Sequence, residues 1–229
     1  MTPVTLTLSE LIRLFKVFTY ATLLFTAVLT VGRCVFFETP LVTAAFQSTS
    51  VSILLATVCL GTIYKKAWTS PTLAKWLGRP MVHGLWRGTL YTDYRAEVDR
   101  PLDPIPIAFV IRQNYFFLSI QSFTKNQPAR STMEALRKDG KTTDAHLSYV
   151  FEMKRLAYAE NKLTTGYGEL TLQDSGQRLV GDYWTNSPTQ GRLELDLVSR
   201  DCEDVNSFAV AERRWGERQA ILVSAGHPS

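Results

Sequence analysis

Cysteine and histidine are scarce in this 229-residue chain, three of each. Cys34, Cys59 and Cys202 lie far apart, no C-x-x-C spacing occurs, and His83, His146 and His227 are scattered. These counts argue against a disulfide framework and offer no metal-ligand spacing. Catalytic signatures are missing too: there is no P-loop, no HExxH and no GxSxG. The carboxylates form no pair at a telling spacing. The expectation is therefore a protein without enzymatic activity, metal or cofactor.

The most telling absence is of charge. Between Glu38 and Lys65 stand 26 uncharged residues, Thr39 to Tyr64. At 1.5 Å per residue, a helix from Leu41 to Tyr64 reaches roughly 36 Å, enough to cross a bilayer. A second apolar run, Val17 to Gly32, lies just upstream between Lys16 and Arg33. It extends back through Leu11, Ile12 and Leu14 if Arg13 and Lys16 snorkel to the interface. No small-x-small cleavage site follows it, which favours a retained anchor over a signal peptide. The 26-residue uncharged run is too long for the buried core hairpin of a soluble protein.

Charge is divided unevenly. Residues 1–80 hold seven basic and two acidic side chains, a surplus of +5; the remainder holds 18 basic and 19 acidic, a balance of −1. The basic surplus flanks the spans, so it reports topology and not a DNA- or RNA-binding face. Arg13 and Lys16 precede the first span, and Lys65, Lys66, Lys75 and Arg79 follow the second. The positive-inside rule places both termini in the cytoplasm. Three segments follow: a transmembrane hairpin at 1–66, a juxtamembrane linker at 67–80 with Trp68 and Trp76 as interfacial anchors, and a globular domain at 81–229. Ser70-Pro71 reads as a helix start in the linker.

Small residues recur every fourth position in the second span, at Ala44, Ser48, Ser52 and Ala56, and Thr22, Thr26 and Thr30 do so in the first. Such stripes let helices approach closely in lipid, within one hairpin or between hairpins of different subunits.

From Met81 onward the pattern has period two. Leu147, Tyr149, Phe151 and Met153 alternate with His146, Ser148, Val150 and Glu152; Leu193, Leu195 and Leu197 alternate with Glu194, Asp196 and, less cleanly, Val198; Leu170 and Leu172 alternate with Glu169, Thr171 and Gln173. These are half-buried antiparallel strands. Between Ile107 and Phe123 the apolar parity shifts at Asn114-Tyr115, where a bulge or turn is expected. Turn signals fall at Asp139-Gly140, Gly166, Asp174-Ser175-Gly176 and Ser187-Pro188. Strands at this spacing suggest a small barrel or sandwich. The expected fold is a membrane-anchored all-β chain: a two-helix hairpin, then a small antiparallel β-barrel with one short helix near the C-terminus, Glu203 to Arg214. Gln219 to Ala225 reads as a closing strand.

Polar and aromatic residues within the strands mark a candidate ligand site. Arg112 and Gln113, followed by Asn114, interrupt an apolar strand; Tyr91 and Tyr94 follow Trp86 and Arg87; Tyr183, Trp184 and Asn186 precede Arg192. Arginine forks onto phosphate, rings stack on bases and amides read base edges. A near-neutral domain with such groups suits a small nucleotide better than a long polyanion.

The order of two spans, His83-Gly84-Leu85-Trp86-Arg87-Gly88, Val110-Ile111-Arg112-Gln113, and Gly181-Asp182-Tyr183-Trp184-Thr185-Asn186 leading to Gly191-Arg192-Leu193 resembles the two-transmembrane, β-strand-rich effectors of CBASS antiphage systems, the SMODS-associated family. The resemblance covers nearly the whole chain. It implies a minimal β-barrel that binds a cyclic dinucleotide made by a partner nucleotidyltransferase. It also implies homo-oligomerisation on binding and disruption of the bacterial inner membrane. Two alternatives stand beside it: a membrane-anchored carrier of a lipid or other small metabolite, with a dry lumen lacking convergent arginines, and a membrane-anchored hydrolase with a converging catalytic cluster.

Overall fold

The computed structural model describes residues 7–66, 72, 74, 78–93, 103–139, 144–157, 160–187 and 189–225. Trp68, Ser70-Pro71, Trp76, Tyr94, Gly140, Pro188 and His227 fall outside them. The chain divides into two compact units, a hairpin within residues 6–70 and a barrel unit from residue 71 onward.

The hairpin consists of α1 (Leu8–Phe37) and α2 (Leu41–Lys66). Both helices are long and apolar enough to cross a membrane. The first begins earlier than Val17 because Thr7 and Glu10 form a reciprocal capping box: the Thr7 hydroxyl accepts from the Glu10 amide, and the Glu10 carboxylate accepts from the Thr7 amide at 2.8 Å. Glu38, with φ of 52°, ends it in the left-handed region. Ala44, Ser48, Ser52 and Ala56 are all buried where α2 meets α1. That stripe is thus the internal seam of the hairpin. The faces of α1 and α2 away from the seam expose Leu23, Leu24, Val28, Phe46, Leu54 and Val58. Thr19, Thr49, Thr57 and Thr62 return their hydroxyls to the carbonyl four residues earlier, which satisfies them without water.

The second unit is a closed antiparallel barrel of eight strands in sequence order, each paired with its neighbours and the last with the first. The strands are β1 (Gly84–Thr92), β2 (Ile105–Gln113), β3 (Leu118–Thr124), β4 (Pro128–Lys138), β5 (Ala145–Ala157), β6 (Glu160–Gln173), β7 (Arg178–Thr185) and β8 (Gln190–Ser199). Closure removes every free edge. The alternation read from the sequence gives the inward faces: Trp86, Phe109, Ile111, Leu118, Ile120, Leu147, Tyr149, Leu170, Leu179, Leu193, Leu195 and Leu197 form one core.

The parity shift at Asn114-Tyr115 is a turn. The Asn114 side-chain oxygen accepts from the amides of Phe116 and Phe117, and the Asn114 amide bonds to the Phe117 carbonyl. Asp174–Gly176 forms a 3-10 turn, with Ser175 and Gly176 at positive φ. Gly166 lies inside β6, opposite Phe151, and not at a turn.

The C-terminus differs from expectation. One helix, α3 (Phe208–Ala225), takes the place of the expected helix from Glu203 and of the strand from Gln219 to Ala225. With β8 already paired to β1, the barrel has no edge for another strand. Leu85, Ala108, Val110, Phe123, Cys202, Val205 and Ala211 form a second core, outside the barrel wall, with Phe208 and Val210 packed on it. That cover explains why β2 reads Ile-Pro-Ile-Ala-Phe-Val-Ile without alternation: both of its faces are buried.

Candidate functional site

The two ends of the barrel differ. One end is plugged. The indole of Trp86, fully buried, donates to the Val82 carbonyl at 2.8 Å, and the Arg200 guanidinium lies 5.6 Å from its ring centre. Arg200 also donates to the carbonyls of His83 and Gly176 at 2.7 and 2.8 Å. The Gln113 amide oxygen accepts from the Val82 and His83 amides, and its nitrogen donates to the Pro80 carbonyl. Trp86, Gln113 and Arg200 are thus each engaged by the protein's own backbone.

The other end opens on a cavity of about 340 Å³. Its floor is apolar and aromatic, from Leu90, Ile107, Phe109, Tyr149, Phe151, Tyr183 and Leu193. Its rim is polar, from Thr92, Thr124, Thr185 and Thr189 at strand ends and Lys125, Asn126 and Gln127 in the β3–β4 turn. Among the described residues of the lining, Lys125 is the one charged side chain; there is no carboxylate and no arginine. Tyr183 hydrogen-bonds Thr92, and burial raises its phenol's pKa above the usual value. Burial raises that of Tyr149 further still. Both therefore remain neutral donors at physiological pH.

A shallow groove lies on the outer wall across β5 to β8 and β1. Thr92 and Tyr183 border both it and the cavity. Tyr91, Trp184 and Arg192 line it, with Tyr167 6.0 Å from Trp184 between ring centres. So do Asp93, Glu169 and Asp182, and Arg192 is paired with Glu194 at 3.1 Å. Three carboxylates facing one guanidinium that already has a partner make a poor seat for phosphate.

The nine residues read from the sequence as ligand-binding do not converge on one site. Tyr183 lines the cavity, and Tyr91, Trp184 and Arg192 lie on the outer groove. Trp86 and Gln113 belong to the plug. Arg112 points outward beneath the 201–207 segment, donating to Gln121 at 2.9 Å and to the Val205 carbonyl at 3.1 Å. Arg87 also points outward, bound to Glu212 at 2.9 Å and stacked over Trp215 of α3. Asn186, just past the end of β7, accepts from the Thr165 amide through its side-chain oxygen and donates its own amide to the Thr165 carbonyl, which prolongs the pairing of β7 with β6. Strand alternation had already put Tyr149 and Phe151 on an inward face; nothing local distinguished them from ordinary core. Lys125, Asn126 and Gln127 carried no signal beyond that of a turn.

No family model and no curated protein matches this chain.

Folding does bring together one pair suited to nucleophilic chemistry. Cys202 Sγ lies 4.0 Å from His83 Nε2. Burial pushes the thiol up to about 11 and the imidazole down from its usual value, so both favour their neutral forms. An activated cysteine needs the opposite shift. Among the described residues, no group of three or more His, Cys, Asp and Glu is placed to hold a metal.

Proposed function

We propose that this protein is a membrane-anchored effector of a bacterial antiphage (CBASS) system. Its barrel takes a cyclic dinucleotide at the open end, and binding gathers the hairpins of several copies in the inner membrane and disrupts it. The partner nucleotidyltransferase supplies the ligand. Both termini and the barrel lie in the cytoplasm, where the messenger is made. The observation that carries this is the cavity itself. It joins a floor of rings to a rim of hydroxyls, amides and one lysine, with no carboxylate among its described lining residues. The Tyr and Phe faces stack on bases, the amides address base edges, and Lys125 meets a phosphate as a point charge. Since Ala44, Ser48, Ser52 and Ala56 are consumed within the hairpin, contacts between hairpins fall to its other faces.

A second reading is favoured by one feature, the absence of arginine from the described lining: the cavity holds an apolar lipid or metabolite. The two are separated by titrating the full-length chain in phosphatidylcholine nanodiscs with a panel of cyclic dinucleotides and with a long-chain alcohol. A cyclic dinucleotide should bind, and vesicles carrying the protein should then leak. Saturable binding of the alcohol alone, with no leakage, would establish the second reading.

A further inference from the structure

An eight-stranded barrel is just wide enough for its own side chains to fill, or to hold one small ligand. The cavity therefore needs a cause, and three cross-strand pairs supply it. Tyr149 stands opposite Gly168, Phe151 opposite Gly166, and Tyr183 opposite Gly191. In each pair the ring lies down over the glycine. A Cβ on Gly168 would meet the Tyr149 ring and hydroxyl at 2.5–2.6 Å, and one on Gly166 would run into the Phe151 ring; one on Gly191 would meet the Tyr91 backbone carbonyl first and the Tyr183 ring at 2.9 Å. With a side chain on Gly166 or Gly168, the ring opposite would have to leave its place against the wall.

Glycine otherwise weakens a strand, and its use here marks a close approach. The effect is to flatten three rings against the wall. Phe109 meets Tyr149 edge-on at 5.9 Å and closes the floor, while Tyr149 and Phe151 lie 5.8 Å apart and tilted by 37°. The Tyr149 hydroxyl forms no hydrogen bond with any described residue, although its neighbour Tyr183 does. Flat rings at the bottom of a narrow opening, with an unused hydroxyl beside them, fit a flat heterocycle better than a flexible chain.

We infer that the lumen is a subsite for a single nucleobase, stacked on Tyr149, and that Gly166 and Gly168 are the specificity-determining residues that keep it open. This rests on the cyclic dinucleotide reading above and adds an asymmetry to it. About 340 Å³ is at the small end of ligand pockets. One base enters; the sugar-phosphate ring stays at the rim beside Lys125, and the second base remains outside.

The test uses the full-length protein in nanodiscs and a panel of cyclic dinucleotides, each also made with the fluorescent base 2-aminopurine in one position or the other. Stacking on Tyr149 should quench the analogue, and a mixed-base ligand should quench from one position only. Gly168→Ala should weaken binding by roughly 5- to 150-fold, the range for losing one base–aromatic stack. Gly216→Ala, where a Cβ meets nothing within 4 Å, should leave binding unchanged. Should Gly168→Ala not fold, Tyr149→Leu removes the ring without crowding and should cause the same loss. In the double variant the loss should not exceed that of Tyr149→Leu alone, because the ring that the new Cβ displaces is gone. If the wild-type chain binds no cyclic dinucleotide, the functional reading and the subsite fall together. If it binds, and folded Gly168→Ala and Tyr149→Leu bind within twofold of wild type, the subsite is overturned while the functional reading stands.

Discussion

The plugged and open ends of the barrel are built from the same kinds of side chain and differ in what those side chains have left to offer. At the plug, Trp86, Gln113 and Arg200 spend their donors and acceptors on the backbone of residues 80–83 and 176. At the open end, rings and hydroxyls face a cavity, and the Tyr149 hydroxyl is without a partner among the described residues. Residue type therefore says little about ligand binding in this fold. Spare hydrogen-bonding capacity beside open volume says more, because a buried polar group that has found its partners gains nothing from a ligand.

The contrast is tested most severely at the plug. Gln113→Leu leaves the Val82 and His83 amides without an acceptor. Each stranded donor costs about 1–3 kcal/mol. Thermal unfolding followed by tryptophan fluorescence should show the loss, while the protein that remains folded keeps its ligand affinity. Reduced affinity without reduced stability would place Gln113 in the binding site after all.

Lys125→Ala should give the reverse pattern. Lys125 is exposed in a turn, so stability should change by no more than about 0.5 kcal/mol. A lost charge-assisted contact should weaken cyclic dinucleotide binding by about 10- to 150-fold in calorimetry. It should not alter binding of a neutral apolar probe.

A third test concerns Glu134, which faces inward beside its β5 partner Tyr149. It hydrogen-bonds Ser131, while one of its oxygens is buried without a partner. Burial raises its pKa above the usual carboxylate value. The folded state then holds this proton more tightly than the unfolded state. The stability this provides is complete below the unfolded pKa and is lost as pH rises through the raised one. Glu134→Gln should flatten that decline and raise the midpoint of thermal unfolding at neutral pH. An unchanged pH profile would show that the carboxyl is solvated in solution.

The smallest effect is expected on the outer groove. Arg192→Ala and Trp184→Ala remove well-exposed side chains, and stability should move by no more than about 0.5 kcal/mol. Affinity for cyclic dinucleotides should hold as well. A clear loss with Arg192→Ala would move the phosphates from the rim to the outer wall.

Much of the architecture was legible in the residues. The uncharged run to Tyr64 marked α2, and the Thr7-x-x-Glu10 pattern was present for the start of α1. The alternation about Tyr149 and Leu195 fixed which faces turn inward. The C-terminal segment was not legible, because Gln219 to Ala225 is apolar in a way that suits either a strand or a helix over so short a stretch. The pairing of β8 with β1 decides between them. The site was legible only in part. Of the residues singled out, Tyr183 lines the cavity, whereas Arg87 and Arg112 belong to the packing of α3 and the segment before it.

The sequence by itself determined two membrane-length helices and the inward parity of the strands that alternate clearly, β5 about Tyr149 and β8 about Leu195, since both depend on the spacing of residues along the chain. Only the tertiary structure decided what each face meets: a lumen, a covering helix or water. That depends on residues distant in sequence, such as Arg87 with Glu212, Arg112 with Val205, and Trp86 with Arg200. The cavity has the same origin. In the chain Gly166 reads as a turn and Gly168 carries no signal; only the register sets them opposite Phe151 and Tyr149.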